Sequence, residues 1–366
     1  MNTNSNRYNR QILLKGFGRE GQKKLLSSKV LVIGAGGLGC PVLQILAASG
    51  IGHLGIVDDD RISPDNLTRQ ILFKPSDIGK LKVETAARAL KDLNSEIHIQ
   101  AYPFRLTNKN ALDLFPDYDI IVDGTDNFES RYMINDAAVL VHKPLVYGAI
   151  SEFEGQLSVW NYQDEGIRTT QYRDAFPNPP SPSSFQNCNE LGVLGVLTGI
   201  IGNLMASEVV KLASGIGKPC TNRIWMYNSL NHTSYDFRIH PREIPTGPKN
   251  QKEFLEMDYV KYCSIPENQG LQINSYELES LMNQNDTLLI DVREPGELPV
   301  FTKWDSISLP LAQVREKAVQ LNKNILVTFC YSGKRSDQAA LWLKEIFGDS
   351  KTIYSLKGGI KDGLSA

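Results

Sequence analysis

The sequence predicts an α/β fold: a doubly wound, mostly parallel sheet with an antiparallel extension, followed by a second, smaller α/β domain. Three observations carry this. Apolar runs of strand length alternate with helical patterns from Val30 to Tyr147; beyond Gly148 strands follow one another without helices between them; and the alternation resumes near Leu271. With 366 residues, 41% hydrophobic and 22% charged, the chain is long enough for two domains, each with its own core.

The first strand, Val30-Leu31-Val32-Ile33, runs straight into Gly34-Ala35-Gly36-Gly37-Leu38-Gly39 and an apolar helix, Val42 to Ala48. Glycines without Cβ let the backbone approach a phosphate, whose charge the free N–H groups and positive end of the helix stabilise. A tight turn without a ligand is the alternative reading. Ahead of this strand, Ile12-Leu13-Leu14 and a basic stretch ending near Lys29 predict helix. His53 to Val57 is the second strand and ends in Asp58-Asp59-Asp60, about the spacing at which a carboxylate meets a ribose in dinucleotide folds. Strands at Ile97 to Ile99, Ile120 to Val122 and Leu145 to Tyr147 alternate with helices such as Val83 to Leu93 and Ser130 to Leu140.

Gln156 to Trp160, Arg223 to Asn228 and Ser234 to His240 supply the antiparallel extension. Between the first two, Pro177, Pro179, Pro180 and Pro182 forbid helix and predict an exposed loop with Cys188 at its end. Leu191 to Ala213 is apolar, but Asn203, Glu208, Lys211 and several glycines interrupt it, so a buried helix is expected and not a membrane span. Residues 246–270 are expected to link a domain of residues 1–245 to one of 271–366. The second domain holds a capped helix after Asn274-Ser275, strands at Leu288 to Ile290, Ile325 to Phe329 and Ile353-Tyr354, and helices at Val314 to Leu321 and Ser336 to Phe347.

A formal charge of −2 and the absence of a basic run give no electrostatic basis for nucleic-acid binding. Met1 to Asn6 lacks the charged and apolar regions of a signal peptide, so a cytoplasmic location is expected. The five cysteines, Cys40, Cys188, Cys220, Cys263 and Cys330, form no CxxC pair, which argues against a disulfide framework and a zinc ribbon and leaves thiol chemistry. The five histidines show no ligand spacing.

Chemistry in the first domain gathers around the glycine loop. Arg69 and Lys82 suit the charge that develops on a triphosphate, and Asp126 follows a strand end, where a carboxylate can hold Mg²⁺. Taken singly, a surface Arg, a surface Lys and a helix-capping Asp are bland alternatives. A nicotinamide-dependent oxidoreductase would account for the glycine loop and Asp58 but has no use for the cations.

Taken together and in order, these segments resemble the adenylating domain of the ubiquitin-activating superfamily, the MoeB, ThiF and HesA group. The resemblance covers about residues 7–240: Arg7-Tyr8-Asn9-Arg10-Gln11, Gly34 to Gly39, Asp58 and Asp60, Asn66 to Gln70, Lys82, Gly124-Thr125-Asp126-Asn127, Gly155-Gln156 and Gly192-Val193-Leu194-Gly195. It implies a Rossmann-like domain that uses ATP and Mg²⁺ to adenylate the C-terminal glycine of a ubiquitin-like sulfur carrier ending in Gly-Gly. It further implies that Asp58 holds the ribose, Arg69 and Lys82 the phosphates and Asp126 the metal. Gly34, Gly36, Gly37, Leu38, Gly39, Asp60, Asn66, Gln70, Thr125 and Asn127 would complete the nucleotide site, and Arg10 would reach the site of the partner in a homodimer. The chain departs from the family where relatives carry two cysteines: it reads Gln171-Tyr172-Arg173-Asp174, and no CxxC follows His240. No structural zinc is expected, which leaves open how the crossover loop is tied down.

In the second domain Cys330 ends a strand and precedes a turn and a helix start with two cations. Loop N–H groups, the helix dipole and Lys334 and Arg335 all favour a thiolate or persulfide. A buried core cysteine is the alternative. With Asp291 to Glu297 and Gly358-Gly359-Ile360, this half resembles a rhodanese domain, and the four residues between Cys330 and Arg335, one fewer than in the look-alike cysteine phosphatases, favour sulfur over phosphate. Its departure lies around Pro299 to Leu309. The resemblance implies a persulfide loop of Cys330, Gly333, Lys334, Arg335 and Ser336, loaded by a donor such as a cysteine desulfurase. Cys188 corresponds to a cysteine that some relatives link to the carrier, an inert thiol being the alternative. The whole chain is then expected to produce a carrier thiocarboxylate for molybdopterin or thiamin pathways; a carrier-binding protein without turnover is the second reading.

Overall fold

A computed structural model describes residues 6–164, 167–179, 192–243, 246–263, 271–282 and 286–363. The described residues fall into two units, the first ending at Cys263 and the second beginning at Leu271. In chain order the first unit starts with α1 (Asn9–Ile12), α2 (Gly18–Ser27), β1 (Lys29–Ile33), α3 (Gly39–Ser49), β2 (His53–Val57), α4 (Lys82–Leu93), β3 (His98–Tyr102), α5 (Ala111–Leu114), β4 (Ile120–Asp123) and α6 (Phe128–Leu140). It continues with β5 (Leu145–Ser151), β6 (Glu154–Trp160), the short pair β7 (Gln163–Asp164) and β8 (Ile167–Arg168), α7 (Tyr172–Ala175), α8 (Gly195–Ser214), β9 (Arg223–Asn228), β10 (Thr233–Arg238), α9 (Gln251–Glu256) and α10 (Tyr259–Cys263).

The main sheet runs in the order β10-β9-β6-β5-β4-β1-β2-β3. Strands β3, β2, β1, β4 and β5 are parallel, and β6, β9 and β10 extend the sheet antiparallel. Because β1 pairs with both β2 and β4, the winding reverses beside it, and a crevice opens at the carboxyl ends of β1 and β4. Alternation along β1 feeds a core on each face. Val30 and Val32 pack with Leu43, Leu46 and Val83; Leu31 and Ile33 pack with Phe115, Tyr132 and Trp160.

The apolar helix expected from Leu191 begins at Gly195 as α8. It is long and apolar enough to cross a membrane, yet Leu197, Ile201, Met205 and Val209 lie in the core and buried Glu208 accepts the backbone N–H of Cys220 at 2.9 Å. Glycine permits the close fit. A Cβ on Gly202 would sit 2.4 Å from Pro41 Cγ, and one on Gly155 2.3 Å from Ile201 Cδ1. Much of the stretch expected as a linker is structured in the first unit: Asn250 caps α9, Phe254 is buried, and Asn108 donates to the carbonyls of Phe254, Leu255 and Met257. The cue was the Asn250–Glu253 pair, where Asn250 Oδ1 accepts the Glu253 N–H at 3.0 Å.

The second unit comprises β11 (Gln272–Ile273), α11 (Ser275–Met282), β12 (Thr287–Asp291), β13 (Ile307–Ser308), α12 (Val314–Lys317), β14 (Ile325–Phe329), α13 (Lys334–Phe347), β15 (Thr352–Leu356) and α14 (Gly359–Gly363). All its strands are parallel, in the order β11-β15-β14-β12-β13. The helix expected from Val314 to Leu321 is α-helical only to Lys317, and Ala318–Gln320 tightens into a 3₁₀ turn. Strands β11 and β13 are two residues long, too short to show a period.

Candidate functional site

The crevice at the carboxyl ends of β1, β2 and β4 is a cavity of about 740 Å³. Every residue expected around a nucleotide lines it except Gly39 and Arg10. Gly39 starts α3 behind the loop, where a Cβ would lie 1.9 Å from the Gly34 carbonyl oxygen, so its part is to let the loop close on itself. Arg10 is exposed on α1, outside the cavity of its own chain.

Asp58 directly follows β2 and braces the glycine loop: one carboxylate oxygen accepts the Ala35 N–H at 2.7 Å, the other the Asp60 N–H at 2.8 Å. Burial raises its pKa, and Lys82 and these two N–H groups act against that. Lys82, buried at the start of α4, donates through Nζ to Asp60 at 2.8 Å, while its backbone N–H donates to the Asp60 carbonyl at 2.9 Å. Asn66, in a capping box with Ser63, and Gln70 are buried in the wall. The buried Gln70 Oε1 has no hydrogen-bond partner. Arg69 lines the same wall and donates to the Asp65 carbonyl at 3.1 Å.

The opposite wall is the β4–α6 turn. Buried Asp123 accepts the Thr125 N–H at 2.9 Å and its hydroxyl at 2.6 Å; burial raises its pKa, opposed by the Arg131 guanidinium and Thr125. Asn127 caps α6 by accepting the Ser130 N–H at 2.9 Å, and exposed Asp126 between them faces the cavity. The donor set fits a metal-bound polyphosphate, with backbone N–H groups, Arg69 and Lys82 for the anion and carboxylates for a divalent cation. Arg131, Thr198, Phe104 and Arg105 also line the cavity and were not foreseen. Arg131 carried a signal, since it lies four residues after the cap Asn127 and so on the same helix face. The other three come from segments that only tertiary folding brings near.

In the second unit Cys330 directly follows β14 and is 1% exposed, packed with Ile290, Val292 and Ala339. The loop beyond it turns through Gly333 at φ +89 into α13. Gly359 closes over it, where a Cβ would meet the Cys330 carbonyl oxygen at 2.4 Å, and Ile360 N–H donates to that carbonyl at 2.9 Å. Ser336 is buried and donates to the Gly333 carbonyl at 2.8 Å. Lys334 is exposed. Arg335 is committed elsewhere: its guanidinium makes a bidentate bridge to Glu297 at 2.6 and 2.7 Å, which holds that carboxyl at a pKa of about 2. The expected loop cation thus arrives already paired. Cys188 lies outside the described residues.

A model of the ThiF family matches residues 8–246, and one of the rhodanese-like domain matches residues 274–366. The chain is 38% identical to a probable adenylyltransferase/sulfurtransferase MoeZ of Mycobacterium tuberculosis, over 97% of this chain and 91% of that protein. It is 43% identical to a sulfur carrier protein adenylyltransferase of Thermus thermophilus, over 71% of this chain and 96% of that one. Among solved structures, the E. coli MccB crystal structure with ATP aligns at a TM-score of 0.57 and 25% identity, covering 66% of this chain and 74% of MccB. The chain belongs to the ThiF family and carries a rhodanese-like domain at its C-terminal end.

Proposed function

We propose that this protein uses ATP·Mg²⁺ to adenylate the C-terminal glycine of a ubiquitin-like sulfur carrier and then transfers sulfur to it from Cys330. The observation that carries the reading is the single cavity into which the glycine loop, Arg69, Lys82, Asp58 and Asp126 converge, in a chain that also bears a rhodanese loop. A carboxylate is a poor electrophile until one of its oxygens belongs to a phosphate leaving group. The carrier carboxylate attacks the α-phosphorus of ATP, forming the acyl-adenylate and releasing pyrophosphate. Arg69 and Lys82 neutralise charge on the departing phosphates. Asp126 would hold Mg²⁺, which would offset charge on the phosphates when bound.

In the second half, the terminal sulfur of a Cys330 persulfide attacks the acyl carbon, directly or after relay to Cys188, and AMP leaves. The resulting acyl disulfide takes two electrons from a thiol reductant, which breaks the S–S bond, frees the carrier thiocarboxylate and regenerates the cysteine thiol. The upstream persulfide comes from a donor such as a cysteine desulfurase, and the product suits molybdopterin or thiamin assembly. We place the enzyme in the cytoplasm as a homodimer, with Arg10 reaching the site of the partner. The test is ATP–pyrophosphate exchange driven by a Gly-Gly-ending carrier. Exchange in the wild type that falls at least about a hundredfold in Lys82→Ala supports the reading. An unchanged rate in that variant refutes the role given to the crevice.

A further inference from the structure

The fold family implies a metal cross-link at the crossover, and the residues around α7 do not fit one. Among the described residues no thiol pair is there, and the nearby Cys263 thiol is pushed up to about 12, first by burial and then by Glu129. Among the described residues, the cluster of potential metal-ligating side chains that does form, Asp58 with Asp59 and Asp60, lies at the nucleotide crevice.

The position is filled by a buried ion pair. Arg173 on α7 is 1% exposed and grips Asp136 of α6 with Nε and Nη2, both at 2.7 Å. Its remaining Nη1 donates to the Tyr262 hydroxyl at 2.7 Å, and the Tyr259 hydroxyl donates to Asp136 Oδ2 at 2.7 Å. Tyr262 in turn donates to the Pro177 carbonyl at 3.1 Å, and Tyr132 of α6 donates to the Phe176 carbonyl at 3.0 Å. The guanidinium lies over the rings of Tyr132 and Tyr262, 4.7 and 4.9 Å from their centroids. Gly247, at φ +102, lets the chain pass: a Cβ there would sit 2.7 Å from Arg173 Nε. Asn135 adds two bonds to Gln171 and the Tyr172 N–H. Each guanidinium nitrogen of Arg173 and both carboxylate oxygens of Asp136 therefore have a partner, which is what allows the two charges to stay buried.

We propose that Arg173 is a positioning residue for sulfur transfer: with Asp136, Tyr259 and Tyr262 it fastens to α6, without metal, both segments of the first unit that lead along the chain toward the reactive cysteines. Residues 172–177 precede Cys188 in sequence, and residues 259–263 precede the domain of Cys330. The N-terminal turn of the same helix, with its cap Asn127 and with Arg131, lies in the wall of the nucleotide cavity. A fixed departure point raises the effective concentration of the persulfide at the adenylate, whereas formation of the adenylate needs only the crevice.

The inference rests on the function proposed above, and the test separates the two. Full-length wild type, Tyr262→Phe and Arg173→Lys are compared with a Gly-Gly-ending sulfur carrier. ATP–pyrophosphate exchange, single-turnover thiocarboxylate formation, bound zinc and melting with and without a chelator are measured. The expected result is unchanged exchange, about tenfold slower thiocarboxylate formation in the folded variants, and melting indifferent to chelator. Because Arg173→Lys can fail to fold, Tyr262→Phe carries the decision: it removes one hydroxyl and leaves the ion pair intact. Thiocarboxylate formation at the wild-type rate in Tyr262→Phe overturns the inference, as does an equal loss of both half-reactions. Stoichiometric zinc whose removal lowers the melting temperature also overturns it. Absence of exchange in the wild type refutes instead the adenylation on which the inference rests.

Discussion

Lys82 is already paired in the crevice. Its ammonium is nearly buried and bonds to Asp60, whose side chain is 68% exposed, so the carboxylate balances the cation while no phosphate is present. Phosphates can displace or share that partner, and a divalent cation compensates the carboxylates around them. Asp60→Asn is therefore expected to tighten binding of metal-free ATP while changing binding of ATP·Mg²⁺ less, shrinking the metal dependence measured by calorimetry. Equal weakening in both conditions would show that Asp60 contacts the nucleotide itself. The residues of this cradle were legible because the glycine loop, the cations and the strand-end carboxylates occur together and in order; taken singly each has a bland reading. The Asp60–Lys82 contact was not, since nothing local joins residues twenty-two apart. Cys40, within the glycine-loop helix, shows the opposite case. Burial raises its thiol to about 12, and it serves packing.

Among elements, the persulfide loop shows how a local pattern can be right in position and incomplete in electrostatics. The strand end, the Gly333 turn and the start of α13 are where the pattern puts them, because a φ of +89 calls for glycine. Glu297 was visible in the Asp291 to Glu297 segment, but its bidentate hold on Arg335 spans thirty-eight residues. A depressed carboxyl pKa has a definite sign. The bridge contributes stability above the ordinary value of 4.5, and the contribution is lost as pH falls toward about 2. Melting of the second unit should therefore drop between those limits, and Glu297→Gln should flatten that part of the profile. A variant profile parallel to the wild type would remove the bridge from the account. The helices α9 and α10 were missed for a related reason. Their length is marginal for periodicity, and what holds them is burial of Phe254 and the bond from Tyr259 to Asp136.

For the whole molecule, two α/β units in one chain fit two consecutive half-reactions, activation by the first and sulfur delivery by the second. The alternation of strands and helices made that division legible, while the extent of the first unit depended on long-range contacts through residue 263. Arg10 bears on assembly: it is exposed on α1 and outside its own cavity. If it acts across a homodimer, mixing inactive Arg10→Ala with inactive Lys82→Ala subunits should restore exchange, because mixed dimers hold one site with both residues intact. No recovery after verified subunit exchange would place Arg10 outside the reaction. The most direct test of the central claim is the intact mass of a Gly-Gly-ending sulfur carrier incubated with this protein, ATP, Mg²⁺, a persulfide donor and a thiol reductant. The account predicts conversion of carboxylate to thiocarboxylate by the wild type, and AMP formation without that conversion by Cys330→Ala. Thiocarboxylate at the wild-type level from Cys330→Ala would contradict it.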